Sequence, residues 1–126
     1  MTPDLSEACH IHLVGAGGAG MGAIADVLYR MGHTVTGSDL KDGPVVERLR
    51  VAGMEIHVGH DAANVGAADL VAISTAIPEH NPEVRAANER QIPLLRRSDI
   101  LPAISAERRS IVVAGTHGKT TTSSML

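Results

Sequence analysis

His10-Ile11-His12-Leu13-Val14-Gly15-Ala16-Gly17-Gly18-Ala19-Gly20 is the stretch that decides the fold. Its first five residues read as a short apolar strand, and the glycine cluster follows without a spacer. After it, Met21, Ile24, Ala25, Leu28 and Met31 recur at helical spacing, and Gly32 stands where a helix ends. Strand, tight glycine turn, helix is the context that gives G-x-G-x-x-G its meaning, here with an extra glycine at position 18. The first glycine permits the turn, the second lets the backbone approach a pyrophosphate, and the third lets the helix pack closely on the strand. The N–H groups that open the helix then face phosphate oxygens. Asp39, about twenty residues past the loop and at the end of a second strand, is placed to bond ribose hydroxyls, whereas Ser38 and Asp39 also suit an ordinary turn.

Working outward, short apolar runs alternate with helical stretches. Thr34 to Gly37 reads as the second strand, Pro44 to Ala52 as a helix, and Glu55 to Val58 as the third strand. Leu70 to Ser74 is almost wholly apolar, as suits a strand buried on both faces. Pro82 opens a helix to about Arg90, Ile92 to Leu95 is a fifth strand, and Ser98 is placed to cap a short helix through Ile104. This β-α rhythm predicts an α/β fold, a Rossmann-like, doubly wound and mostly parallel sheet of about five strands with right-handed crossovers. A charged stretch at Ala106–Arg109 marks a boundary, which divides the chain into a domain over 1–108 and the start of another over 109–126. That second part holds a further apolar strand, Ile111 to Ala114, and a loop remnant; if its edge is unpaired, the leftover strand predicts self-association.

The remnant loop is Gly115-Thr116-His117-Gly118-Lys119-Thr120-Thr121. Backbone N–H groups there can wrap a phosphate, Lys119 can reach terminal phosphate oxygens, and the Thr120 hydroxyl can ligate Mg²⁺. It departs from the general P-loop, because Val113 occupies the place of the first glycine. Two nucleotide loops on one chain argue against a simple dehydrogenase, which needs only the first.

Together, Val-Gly-Ala-Gly-Gly-Ala-Gly-Met at 14–21, Thr-Gly-Ser-Asp at 36–39 and Ala-Gly-Thr-His-Gly-Lys-Thr-Thr-Thr at 114–122 resemble the Mur ligases of peptidoglycan synthesis. Gly59-His60, Ser74-Thr75-Ala76-Ile77 and Asn81-Pro82-Glu83 are similar to further family segments, in the same order. The resemblance implies a three-domain, ATP-dependent ligase whose N-terminal domain holds the UDP part of a UDP-sugar. ATP would phosphorylate the muramyl carboxylate, and an amine would attack that acyl phosphate, giving an amide, ADP and phosphate. Mg²⁺ would offset charge on the transferred group. The Gly-Gly-Ala-Gly-Met stretch at 17–21 favours the branch that joins L-alanine to UDP-N-acetylmuramate over the branch that recycles murein peptides.

The family's roles carry over onto matching positions. Gly15, Gly17, Gly18, Ala19 and Gly20 would cradle the UDP pyrophosphate; Ser38 and Asp39 would contact the uridine. His60, Ser74, Thr75, Ala76 and Ile77 would line the same crevice, with Arg96 or Arg97 reaching the diphosphate. Gly115, Thr116, His117, Gly118, Lys119, Thr120 and Thr121 would hold the ATP phosphates, Lys119 and Thr120 as the catalytic pair, with Thr120 on Mg²⁺. The family's remaining metal ligands and catalytic groups fall after Leu126, so this chain is expected to bind the UDP moiety, to hold ATP weakly, and not to catalyse.

Composition narrows the alternatives. The formal net charge is -3 with no long basic run, which excludes a nucleic-acid partner. No apolar run approaches a membrane span and Met1 to Ala8 has no signal-peptide core, so a cytoplasmic protein is expected. Cys9 is the only cysteine, so no intrachain disulfide forms. His57 and His60 would point to opposite sides of an extended strand and make no metal pair, while His10 and His12 share one strand face as packing residues. The rival from another class is an NAD-binding regulatory domain, which explains Gly15 to Asp39 and leaves Gly115 to Thr121 without a purpose.

Overall fold

The structure, a computed structural model, describes Leu5 and residues 7–106. Five strands and their crossovers alternate as the sequence pattern requires: β1 (His10–Val14), α1 (Ala19–Arg30), β2 (Thr34–Asp39), α2 (Pro44–Ala52), β3 (Glu55–Val58), a 3₁₀ turn (Ala62–Val65), β4 (Leu70–Ile73), α3 (Pro82–Glu89) and β5 (Leu94–Arg96). Residues 97–106 form a further helix, α4. Every pairing is parallel, in the order β3-β2-β1-β4-β5, so the sheet is a Rossmann-like, doubly wound one. The expected boundary at 108 and 109, the strand from Ile111 and the loop Gly115 to Thr121 lie outside the described residues.

The two faces of β1 divide the interior. Ile11 and Leu13 point into the larger apolar cluster, with Met21, Ile24, Ala25 and Leu28 of α1, Val46 and Leu49 of α2, and Ile100 and Ala103 of α4. Val14 points the other way, into a smaller cluster with Val65, Val71, Ile73, Val84 and Ala87. Between Val14 and the start of β1, that second face is polar: His10 and His12 stand on it, as expected of residues two apart.

Boundaries shift for local reasons. β2 runs two residues past the expected Gly37, because Ser38 and Asp39 keep their register with His57 and Val58 of β3. β5 starts at Leu94 rather than Ile92, since the Ile92 N–H is taken by the Ala87 carbonyl closing α3. Ser98 does not cap α4 but lies in its first turn; the Arg96 N–H instead donates to Asp99 Oδ2 at 3.0 Å, one half of a capping box.

Gly37 marks the tightest part of the sheet. A Cβ there would lie 2.9 Å from the Leu13 carbonyl oxygen and 2.9 Å from the Ala16 Cβ. Neither can swing aside, since one is backbone and the other a methyl in the glycine turn. Gly37→Ala is expected to destabilise the chain by about 1–3 kcal/mol through overpacking, read as a lower urea midpoint with unchanged slope.

Candidate functional site

In a sheet of this order the chain runs in opposite directions from β1 and from β4, which opens a crevice at their carboxyl ends. Gly15 makes the turn out of β1 at φ +87°, and an added Cβ would meet Ser74 Oγ, just past β4, at 2.9 Å. A substituted residue there would be strained by conformation and by contact alike. The crevice is a cleft of about 510 Å³, walled by Gly15, Gly18, Asp39, Leu40 and His60 on one side and by Ser74, Ala76, Ile77, Pro78 and His80 to Pro82 on the other.

The N–H groups of the glycine loop divide into two sets. Gly15 and Ala16 both donate to the Ser38 carbonyl, at 2.8 and 2.9 Å, which fastens the loop to β2. Gly17 donates to Asp39 Oδ2 at 2.9 Å, and Gly18 to the Gly15 carbonyl at 3.2 Å. The first helical bond of α1 is from Gly22 to the Gly18 carbonyl. The N–H groups of Ala19, Gly20 and Met21 therefore have no partner within the helix. No side chain caps α1 and no acid lies in its first turn. These donors lie at the positive end of a 12-residue helix, an arrangement suited to an anion.

Several expected contacts take other positions. Asp39 lines the cleft, yet its carboxylate also accepts the Gly17 and Lys41 N–H groups, so it braces the turn as well as facing the cleft. Gly20 was expected to let helix pack on strand; its missing Cβ faces the Arg97 guanidinium instead, 2.7 Å from Nη1. Of the two candidate arginines, Arg97 is thus the one beside the start of α1, while the Arg96 N–H begins α4. Thr75 is exposed in the loop after β4 and lies off the cleft wall. Ser38 is fully buried beneath His60, and its hydroxyl turns inward.

What Ser38 turns toward is Glu83, a residue to which the sequence assigned no role. Glu83 is 0% exposed, in the first turn of α3, behind the Asn81 side-chain cap and Pro82. Its Oε1 accepts the Ser38 hydroxyl at 2.6 Å and lies 2.6 Å from His12 Nε2. Its Oε2 accepts the Asn64 amide at 2.9 Å and the Asp61 N–H at 3.0 Å, with His60 Nδ1 at 3.3 Å. Burial alone raises the pKa of this carboxyl; hydrogen bonds from His12, Ser38, Asn64 and Asp61 outweigh it and lower the value from 4.5 to about 2.

With Glu83 ionised, and so an acceptor only, the polar hydrogens around it order themselves. Ser38 donates its one proton to Glu83, so its oxygen accepts from His60 Nδ1, 2.9 Å away. With His12 neutral, its Nε2–H donates to Glu83, and its Nδ1 accepts the Thr36 hydroxyl at 2.8 Å. Thr36 Oγ1 in turn accepts from His10 Nε2 at 2.9 Å. A continuous path of side-chain hydrogen bonds runs under the sheet from His10 to His60 at the cleft. His57 stands apart, beside Glu55 at 3.1 Å, and among the described residues no three His, Cys, Asp or Glu are grouped to hold a metal.

Comparison with known proteins gives the family. The family model described as "Mur ligase family, catalytic domain" matches residues 10–109, and the chain belongs to that family. It is 56% identical over 116 residues to the UDP-N-acetylmuramate–L-alanine ligase of Rubrobacter xylanophilus, covering 92% of this chain and 26% of that protein. Among solved structures, the UDP-N-acetylmuramate–alanine ligase of Thermotoga maritima superposes with a TM-score of 0.69 at 36% identity, covering 71% of this chain and 21% of that one. A murein peptide ligase from Psychrobacter arcticus gives 0.65 at 31%, covering 69% and 18%. The chain spans about a quarter of the length of the curated relatives it matches. No helix among the described residues is long and apolar enough to cross a membrane.

The buried carboxylate sets an acid limit on stability. A carboxyl depressed in the folded state contributes fully above its unfolded pKa of about 4.5, and the contribution is lost as the pH falls toward 2. A shift of this size is worth roughly 3 kcal/mol. Urea unfolding between pH 6 and 2 is expected to show that decline, and Glu83→Gln to flatten it while lowering stability at pH 7, because the amide sets N–H donors against donors.

Proposed function

We propose that this chain is the UDP-binding part of an ATP-dependent ligase that joins L-alanine to UDP-N-acetylmuramate through an acyl phosphate. The observation that carries the reading is the glycine loop at the switch point, whose three uncapped N–H groups at the start of α1 face the crevice end of the sheet. They suit a pyrophosphate, with Gly15 and Gly18 at the wall and Arg97 alongside. Asp39 then meets the ribose, and His60, Ser74, Ala76 and Ile77 enclose the remainder of the nucleotide. Gly17 and Ser38 act one layer back, holding Asp39 and His60 in place.

The ATP-dependent step belongs to the whole ligase, of which the chain is a part. There Gly115 to Thr121 would hold ATP, Lys119 on the terminal phosphates and Thr120 on Mg²⁺; these residues lie outside the described ones, and their roles rest on the resemblance. Likeness to the Psychrobacter arcticus murein peptide ligase supports a second reading, in which the UDP-sugar is the same and a recycled peptide replaces L-alanine.

Calorimetric titration tests the proposal. UDP-N-acetylmuramate is expected to bind and NAD not to bind; tight NAD binding without UDP-sugar binding would overturn the reading in favour of a regulatory dinucleotide domain. Arg97→Ala is expected to weaken the UDP-sugar by about tenfold, the usual scale for one charge-assisted contact to phosphate. ATP is expected to give no micromolar binding to the 126-residue chain in the same cell.

A further inference from the structure

Asp42-Gly43 is the one place in the chain where an Asp or Asn precedes a glycine. Both residues suit a turn, and that is the ordinary reading of them between β2 and α2. The structure gives Asp42 a different contact. Gly43, not Asp42, is the N-cap of α2, and no side chain caps that helix. The Asp42 carboxylate folds back on its own successor instead, Oδ1 accepting the Gly43 N–H at 3.0 Å. The carboxyl carbon, one bond further in, thus stands beside the main-chain nitrogen of the next residue. The Asp42 side chain is 60% exposed, so water reaches it.

Neither space nor conformation requires glycine at 43. Its φ of -173° is extended backbone open to any residue, and an added Cβ would meet no atom within 4 Å. What glycine does supply is an unhindered nitrogen, since no Cβ shields the peptide N–H from the neighbouring carboxyl. Little else holds that carboxyl. Arg50 Nη1 lies 3.5 Å from it, at the limit of a hydrogen bond, while Arg50 Nε and Nη2 are fixed on the Ile56 carbonyl at 3.0 and 2.8 Å.

We propose that Asp42 is a site of self-modification, at which the Gly43 nitrogen attacks the Asp42 side-chain carboxyl and the chain converts to isoaspartate. An N–C bond to Cγ forms as a Cγ–O bond breaks; the oxygen leaves as water, taking the amide hydrogen and one proton from solvent. Water then opens the cyclic imide. Opening at the main-chain carbonyl leaves the chain running through Cγ, longer by one carbon (about 1.5 Å), with the α-carboxylate free. The extra carbon falls just past Asp39, whose carboxylate holds the Lys41 N–H at 3.2 Å and the Gly17 N–H at 2.9 Å beside the cleft. α2 cannot shift to absorb it, because Val46 and Leu49 are buried in the core. The change is therefore taken up at Leu40 and Lys41, which draws Asp39 off the glycine turn and disables the cleft. That consequence rests on the uridine-nucleotide reading above; the chemistry at Asp42 does not.

Peptide mapping of the chain, held in warm neutral buffer and digested at intervals with a protease that cuts before aspartate but not before isoaspartate, tests it. Cleavage between Lys41 and Asp42 is expected to be lost with time, through a transient species one water lighter, while cleavage before Asp39 and Asp61 persists. Gly43→Ala, which has room to fold, is expected to slow that loss about tenfold, a barrier about 1.4 kcal/mol higher. The isoaspartyl form, isolated by chromatography, is expected to keep its far-ultraviolet dichroism and to bind UDP at least about tenfold more weakly than fresh chain. Asp42 that stays aspartate while a free peptide of the same sequence isomerises, or an equal rate in Gly43→Ala, would overturn the modification. An isoaspartyl form that binds UDP as well as fresh chain would overturn its effect on the cleft. Fresh chain that binds no uridine nucleotide would overturn that effect together with the functional reading, and the peptide map would still decide the chemistry at Asp42.

Discussion

A carboxylate without access to water must be met by hydrogen-bond donors from every side, and Glu83 imposes that condition on four separate pieces of chain. His12 comes from the central strand, Ser38 from its neighbour, Asp61 and Asn64 from the 3₁₀ region, and Glu83 itself from α3. Removing any one donor leaves charge uncompensated in a dry interior, which is far more costly than losing an exposed ion pair. The polar face of β1 and β2 is thereby as constrained as the apolar face that packs on α1 and α2. The cleft lies at the margin of this network, and its His60 wall inherits the network's rigidity.

The glycine loop answers to a different constraint, that of backbone donors. Most of its early N–H groups are committed to Ser38, Asp39 and Gly15, and these bonds fix the shape of the turn. Only the donors that open α1 are left over. A helix start with neither a cap nor an acid is a local cost in stability, and such omissions recur where an anion is to be received. Arg97 beside Gly20 adds a positive charge to the same end of α1.

Most of the fold was legible because period and punctuation agreed: two-residue alternation in β1, the 3.6-residue stripe of α1, prolines opening α2 and α3. The strands missed by a residue or two at ends where hydrogen bonding to a neighbour, not composition, decides the limit. Of the residues expected at the crevice, Gly15, Gly18, Asp39, His60, Ser74, Ala76 and Ile77 do line the cleft. The inward turn of Ser38 and the place of Glu83 were not legible. An acid just after Asn-Pro reads as the ordinary first turn of an exposed helix, and burial depends on what lies opposite. A signal did exist, in His10 and His12 alternating on one strand with Thr36 and Ser38 on the next. A polar stripe on two adjacent inner strands requires a polar partner from the layer above.

The same network bears on how the chain reaches its native state. β1 is made first yet sits at the centre, pairing with β2 about twenty residues on and with β4 much later in the chain, from Ile11 with Leu70 to Val14 with Ile73. His12 and Glu83 are separated by 71 positions. The half-sheet of β1, β2 and β3 is closed by local crossovers, whereas the other half is tied to it through contacts of far greater sequence separation, which cost more loop entropy to close. The buried charge thus acts as a latch between two halves of the sheet that lie far apart along the chain.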